Sequence, residues 1–166
     1  MKLTLGRQYD VRSVGLYELR VAGVLIGLTI EQAPSGMWVI GPYQQNPYGP
    51  KIARRHRFEE QRFPTRREAL QAAQLAYQLD AEQGRPWIDV PPLPVRQDPD
   101  NQRSYLYDLP GHDPVRIYRD RHGWNYRVPV LTGTYGTYRT LLSARLAAAM
   151  HLNRPHVQKQ LAEAAS

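Results

Sequence analysis

The sequence predicts an α+β protein of two tandem βββα modules, each an antiparallel sheet packed on one helix, with a short helix closing the C-terminus. The first observation behind this is that the chain runs twice through one succession, from Tyr17 to about Gly84 and from Tyr105 to about Asn153. Extended Tyr/Val/Ile-rich segments lead through a turn with Gly and Trp into an Ala-rich helix. The second is that particular residues answer each other. Gly36-Met37-Trp38-Val39-Ile40 is matched by His122-Gly123-Trp124-Asn125-Tyr126, and Phe63-Pro64-Thr65 with Ala69, Ala72 and Ala73 by Tyr138-Arg139-Thr140 with Ala144, Ala147 and Ala148. The third is length, because a period of roughly 80 residues divides 166 into two small units, each marginal alone. The alternative is two unrelated α+β units whose turns and helices coincide.

The elements follow in order. Residues 1–85 form the first module. Leu16–Val21 and Val24–Gln32 carry β-branched residues around Gly23 and read as a hairpin, and Met37–Ile40 follows the Pro34-Ser35-Gly36 turn as a third strand. A loop over Gly41–Pro50 precedes a last extended segment, Ile52–Phe63. Thr65 with Glu68 three residues on has the form of a capping box, and apolar residues at helical spacing continue until Gly84. Residues 86–103 hold four prolines before Val95 and then Asp98-Pro99-Asp100-Asn101, which reads as an extended linker.

The second module covers residues 104–166. Tyr105–Leu109 and Val115–Arg121 flank a turn at Pro110–Pro114. In Trp124–Val130, Trp124, Tyr126, Val128 and Val130 alternate with Asn125 and Arg127, the period of a strand. A loop over Leu131–Gly136 leads to a helix opened by Thr140 and running through Leu152. Pro155 starts a closing helix with Val157 and Leu161, and the module reading makes that helix dispensable for folding.

The formal charge is +7, and only Lys2, Lys51 and Lys159 of the 22 basic residues are lysine. A positive field draws an anionic partner, and arginine suits bidentate contacts to phosphate and guanine. A GC-rich genome produces the same arginine bias. With no cysteine there is neither a disulfide framework nor a thiolate metal site, and a reducing cytoplasm is the simplest location. The longest apolar stretch, Val21–Ile30, is far below the roughly 20 residues that cross a bilayer, so no membrane partner is expected.

Convergent catalytic groups are scarce. Glu59 and Glu60 are adjacent and point to opposite faces of a strand. His112, Asp113, Asp120 and His122 bracket a hairpin and form the one candidate metal cluster, the basis of a minor reading as a metal-dependent nuclease. No Gly-rich phosphate loop or His-Glu-x-x-His motif is present, and the sequence asks for no cofactor. Basic residues are abundant by contrast. Arg54, Arg55, Arg57 and Arg62 cluster in the first module. Arg116, Tyr118, Arg119, Arg121 and Arg127 mix cationic and aromatic side chains on adjacent strands of the second, as a sheet that tracks a phosphate backbone requires. Trp38, Trp124, Tyr77 and Tyr126 are assigned to the core. The expected function is nucleic-acid binding, DNA rather than RNA and double-stranded, by an accessory or regulatory protein that could act as a homodimer. The alternative is a protein-interaction module or inhibitor that presents its sheets to a protein partner, with Arg and Tyr as anchors.

The run from Trp38 through Phe63-Pro-Thr-Arg-Arg-Glu-Ala-Leu-Gln-Ala-Ala-Gln-Leu-Ala-Tyr resembles AP2-like modules and the arm-binding domains of phage-type integrases. That resemblance implies a three-stranded sheet set in the major groove with a helix packed behind it. The long Pro/Tyr/Gly loop before the last strand departs from the pattern. The segment Leu146–Leu161 is also similar to helix-turn-helix segments of bacterial repressors, with His151 where the turn usually holds Gly; this resemblance implies that Arg154, His156 and Lys159 lie on a recognition helix.

Overall fold

A computed structural model describes residues 3–7, 15–42 and 58–165. The chain divides into two compact units, Met1–Asp89 and Val90–Ser166. The fold is α+β, with two antiparallel sheets and three helices among the described residues.

In the first unit β1 (Leu3–Arg7), β2 (Leu16–Val21), β3 (Val24–Gln32) and β4 (Trp38–Pro42) lie side by side in chain order. Ala22 and Gly23 take φ of 49° and 80°, the left-handed two-residue turn whose twist suits the β2–β3 hairpin. One face of this sheet buries Leu3, Leu19, Val21, Ile30 and Ile40. Helix α1 (Arg66–Glu82) belongs to the same core through Ala69 and Ala73, both without exposure. The capping box forms as expected: Glu68 N donates to Thr65 Oγ1 at 3.2 Å, and Thr65 N to Glu68 Oε2 at 3.1 Å. Phe58 and Trp87 complete the core. The Trp87 ring stands edge-on to Tyr77 at 5.5 Å and to Phe58 at 6.4 Å, and its Nε1–H donates to Asp80 Oδ2 at 2.8 Å.

The second unit carries β5 (Arg96–Asp98), β6 (Asn101–Tyr107), β7 (Val115–Arg119), β8 (Trp124–Arg127) and β9 (Tyr135–Tyr138), again in chain order. Val115, Ile117 and Val128 are fully buried, as are Ala144, Leu146 and Ala148 of α2 (Leu141–Leu152). Helix α3 (Pro155–Ala164) turns its buried residues Val157 and Leu161 into the same unit.

The two units share local geometry. Tyr17 opposes Ile30 and packs on Trp38 at 5.9 Å and 49°; Tyr105 opposes Ile117 and packs on Trp124 at 5.8 Å and 53°. Trp38 bridges to Phe63, and Trp124 pairs with Tyr138. Each aromatic partner stands two residues before a threonine N-cap, and Thr65 (φ −130°, ψ 153°) and Thr140 (φ −127°, ψ 153°) have the same backbone conformation.

Several expectations are corrected. Among the described residues the sheets have four and five strands rather than three. Leu3–Arg7 adds β1, a segment too short for its alternating Leu3 and Leu5 to announce a strand. Within the 86–103 stretch read as linker, Trp87 is core of the first unit and Arg96–Asp98 is a strand of the second. There Asp98-Pro99-Asp100-Asn101 is a hairpin turn, closed by Asp100 N donating to Asp98 Oδ1 at 3.1 Å. β9 lies partly in the expected loop Leu131–Gly136. It depends on Gly136, where a Cβ would stand 2.7 Å from the Trp124 carbonyl oxygen, so a glycine that reads as a loop marker is a close strand contact. Of the expected extended segment Ile52–Phe63, Phe58–Glu60 is a turn, Phe63 is a single bridge, and 52–57 lie outside the described residues.

The closing helix, expected to be dispensable, is part of the core of the second unit. Val157 is fully buried and Leu161 nearly so. Truncation after Asn153 is expected to destabilise the second unit by roughly 3 kcal/mol or more, from two buried aliphatic side chains at about 1.5–3 kcal/mol each. Urea denaturation of the truncated and full chains checks this.

Candidate nucleic-acid interface

Strand alternation gives the second sheet two faces. Tyr105, Ile117 and Tyr126 share the face toward α2, where the Tyr126 hydroxyl meets His151 Nδ1 at 3.0 Å. The opposite face carries a row of direct cross-strand neighbours on four strands: Arg96, Leu106, Arg116 and Arg127. The next row holds Ser104, Tyr118 and Asn125. Arg96, Arg116 and Arg127 are exposed, and Tyr118 is half-buried, its hydroxyl 3.0 Å from Thr134 Oγ1. An open groove of about 720 Å³ runs here, lined among others by Asn101, Arg116, Tyr118, Arg119, Arg127 and Thr134.

Each arginine of the row has a different electrostatic setting. Arg96 grips Asp108 with two bonds, Nε to Oδ2 at 3.0 Å and Nη2 to Oδ1 at 2.9 Å. That bond pair raises the guanidinium and holds the Asp108 carboxyl below the usual range. Arg116 lies 3.8 Å from Asp98 Oδ2, an oxygen that has no hydrogen bond and belongs to a side chain only 4% exposed. Arg127 has no acidic partner among the described residues and directly opposes Arg116. Like charges placed directly across two strands repel; Asp98 offsets part of this at Arg116, and Arg127 is the member of the pair left for an anion laid over the face to neutralise.

The expected site residues fall into separate groups. Arg116, Tyr118 and Arg127 come together on the outer face, as the strand reading requires. Arg119 lines both that groove and a second one, which Arg121 also lines. Arg62 is exposed in the turn before α1 and donates to the Glu59 and Gln61 carbonyls. Arg154 is the half-buried N-cap residue of α3, and Lys159 is exposed and pairs with Glu163 at 3.7 Å. Neither is in the outer-face row. Arg54, Arg55 and Arg57 lie outside the described residues. The sequence reading missed Arg96 because it placed that residue in a linker, and three polar residues in succession, Arg96, Gln97 and Asp98, carry no strand period.

The other candidates resolve differently. Among the described residues no group of three His, Asp or Glu side chains is placed to hold a metal. The Asp120 carboxylate instead accepts from His122 N at 2.8 Å and Gly123 N at 3.0 Å, bonds that hold its carboxyl below the usual carboxylate range and close the β7–β8 turn. His151 is not at a turn: it sits inside α2, and the helix ends at Asn153. Of the residues assigned to the core, Tyr77 and Tyr126 are buried, while Trp38 and Trp124 are half-buried.

Burial pushes His151 down to about 4, with Arg154 and His156 adding to the effect, and burial holds the Tyr126 hydroxyl firmly protonated. The unfolded chain therefore takes up a proton on His151 between its ordinary value near 6.5 and about 4 that the folded chain refuses. Stability should fall by about 2–3 kcal/mol as pH drops through that window. His151→Gln is expected to remove this part of the pH dependence in denaturation curves at neutral and acid pH.

Comparison with protein-family models, with curated proteins and with solved structures gives no match. Among the described residues no helix is long and apolar enough to cross a membrane.

Proposed function

We propose that the chain is a nucleic-acid-binding protein, acting on double-stranded DNA in a reducing cytoplasm, and that the outer face of its second sheet is a contact surface. The observation that carries this is the Arg116–Arg127 pair, directly opposed on neighbouring strands and exposed. Asp98 compensates Arg116 in part, but Arg127 has no carboxylate beside it among the described residues, and a phosphate laid across the pair offsets the remaining repulsion. Tyr118 and Asn101 beside the pair supply hydrogen-bonding groups suited to a sugar-phosphate backbone.

The shared Tyr–Ile register, Trp–aromatic pairing and threonine caps support reading the two units as copies of one duplicated module. In that reading the outer face of the first sheet has diverged. Its Glu18 is buried and held by Arg20 at 2.7 Å.

The test is a fluorescence-anisotropy titration of a labelled duplex at about 50 and 200 mM salt. Three phosphate contacts give a log–log slope near −2.7 and hence about a 40-fold loss of affinity across that range. Absence of saturable binding at low salt would overturn the proposal and favour a protein partner.

A further inference from the structure

At the Arg119–Trp124 end of the second sheet lies another open groove, about 520 Å³, whose lining includes Arg103, Tyr105, Arg119, Asp120, Arg121 and Trp124. Tyr105 and Trp124 are half-buried, so their rings are partly open to this groove. Three guanidinium groups stand against one carboxylate, and that carboxylate is engaged by the two turn amides. The lining therefore combines an aromatic platform with a positive rim.

The first unit shows what such a platform accepts. The equivalent pair, Tyr17 and Trp38, is capped by the Arg66 guanidinium, which lies 4.3 Å from the Tyr17 ring centroid. Arg66 directly follows the cap Thr65; the residue that follows Thr140 is Leu141, which has no charge and no planar group. Among the described residues no guanidinium sits over Tyr105 or Trp124. The second platform thus lacks the internal planar cap of the first and has cations around its rim instead. A planar ring that carries negative charge fits both features.

We infer that this groove takes one unpaired nucleotide of the bound DNA, its base against Tyr105 and Trp124 and its phosphate between Arg119 and Arg121. The inference rests on the nucleic-acid reading above. Tyr105 and Trp124 lie on the helix-side face and Arg116 and Arg127 on the opposite one, but Arg119 at the sheet's end lines both grooves, so a strand leaving the Arg116–Arg127 row reaches the platform by passing around that end. The preferred ligand is then a duplex with a single-stranded extension rather than a blunt duplex, because a base inside a duplex has no free face to stack.

The experiment compares a blunt duplex with the same duplex extended by a short single strand on either end, with 2-aminopurine as the first unpaired base. The full chain should bind one extended form at least about fivefold more tightly than the blunt one and quench the 2-aminopurine, as stacking on aromatic side chains does. Tyr105→Leu should remove both effects and leave blunt-duplex affinity unchanged. Should that variant fail to fold, Arg121→Ala at an exposed position should still reduce the preference for the extension. Equal binding of blunt and extended forms without quenching would overturn the inference while leaving the duplex reading in place. Failure of every form to bind would overturn both.

Discussion

Replacing Trp87 with alanine is expected to destabilise the first unit by about 3–5 kcal/mol, the usual cost of removing a large buried aromatic side chain. Trp87 is only 3% exposed, stands edge-on to both Phe58 and Tyr77, and donates to Asp80 from within the core. The substitution opens a cavity and takes a donor away from a buried carboxylate, and both effects lower stability. Trp87→Phe should recover most of the packing but not the hydrogen bond, leaving a loss of about 1–3 kcal/mol. Urea denaturation of the three proteins separates the two contributions. A Trp87→Ala protein as stable as the parent would mean that the residue belongs to a solvated linker.

The second large effect concerns Arg127. Arg127→Glu replaces a repelling cross-strand pair by an attractive one with Arg116, so stability should rise by about 0.2–1 kcal/mol. DNA affinity should fall by roughly tenfold or more at moderate salt, because one phosphate contact is lost and a negative charge is introduced. Opposite signs in the two measurements mark a residue kept for binding at the expense of folding. Arg116 is a poorer probe: removing it takes a cation from beside the buried Asp98 carboxylate, so loss of binding would mix with loss of fold.

What the sequence disclosed follows from where its signals are local. The Thr65 capping box and the helix opened by Thr140 depend on residues a few positions apart and take the expected form, while the strand expected over Trp124–Val130 forms only as far as Arg127 and buries Asn125 as well as Tyr126. Strands defined by distant partners were hidden. β1 is recognisable only once Leu3 and Leu5 oppose Val21 and Leu19, and β9 only once Gly136 lies against Asn125. The Pro-rich stretch misled for a related reason: proline signals an extended backbone, but neither the burial of Trp87 nor the pairing of Arg96 with Leu106 can be read from it. The site was legible in part. Arg116, Tyr118 and Arg127 were selected by charge and strand period, whereas the row that joins them to Arg96 needs the sheet register.

The most direct test of a phosphate-binding outer face is the salt dependence of duplex DNA binding, compared between the parent protein and Arg127→Glu. Contacts from Arg116, Arg119 and Arg127, the arginines lining the groove, predict a parent slope of log affinity against log salt of at least about −2.7, shallower by about 1–2 in the variant. Equal slopes in the two proteins, or an absence of binding by the parent, would contradict the account.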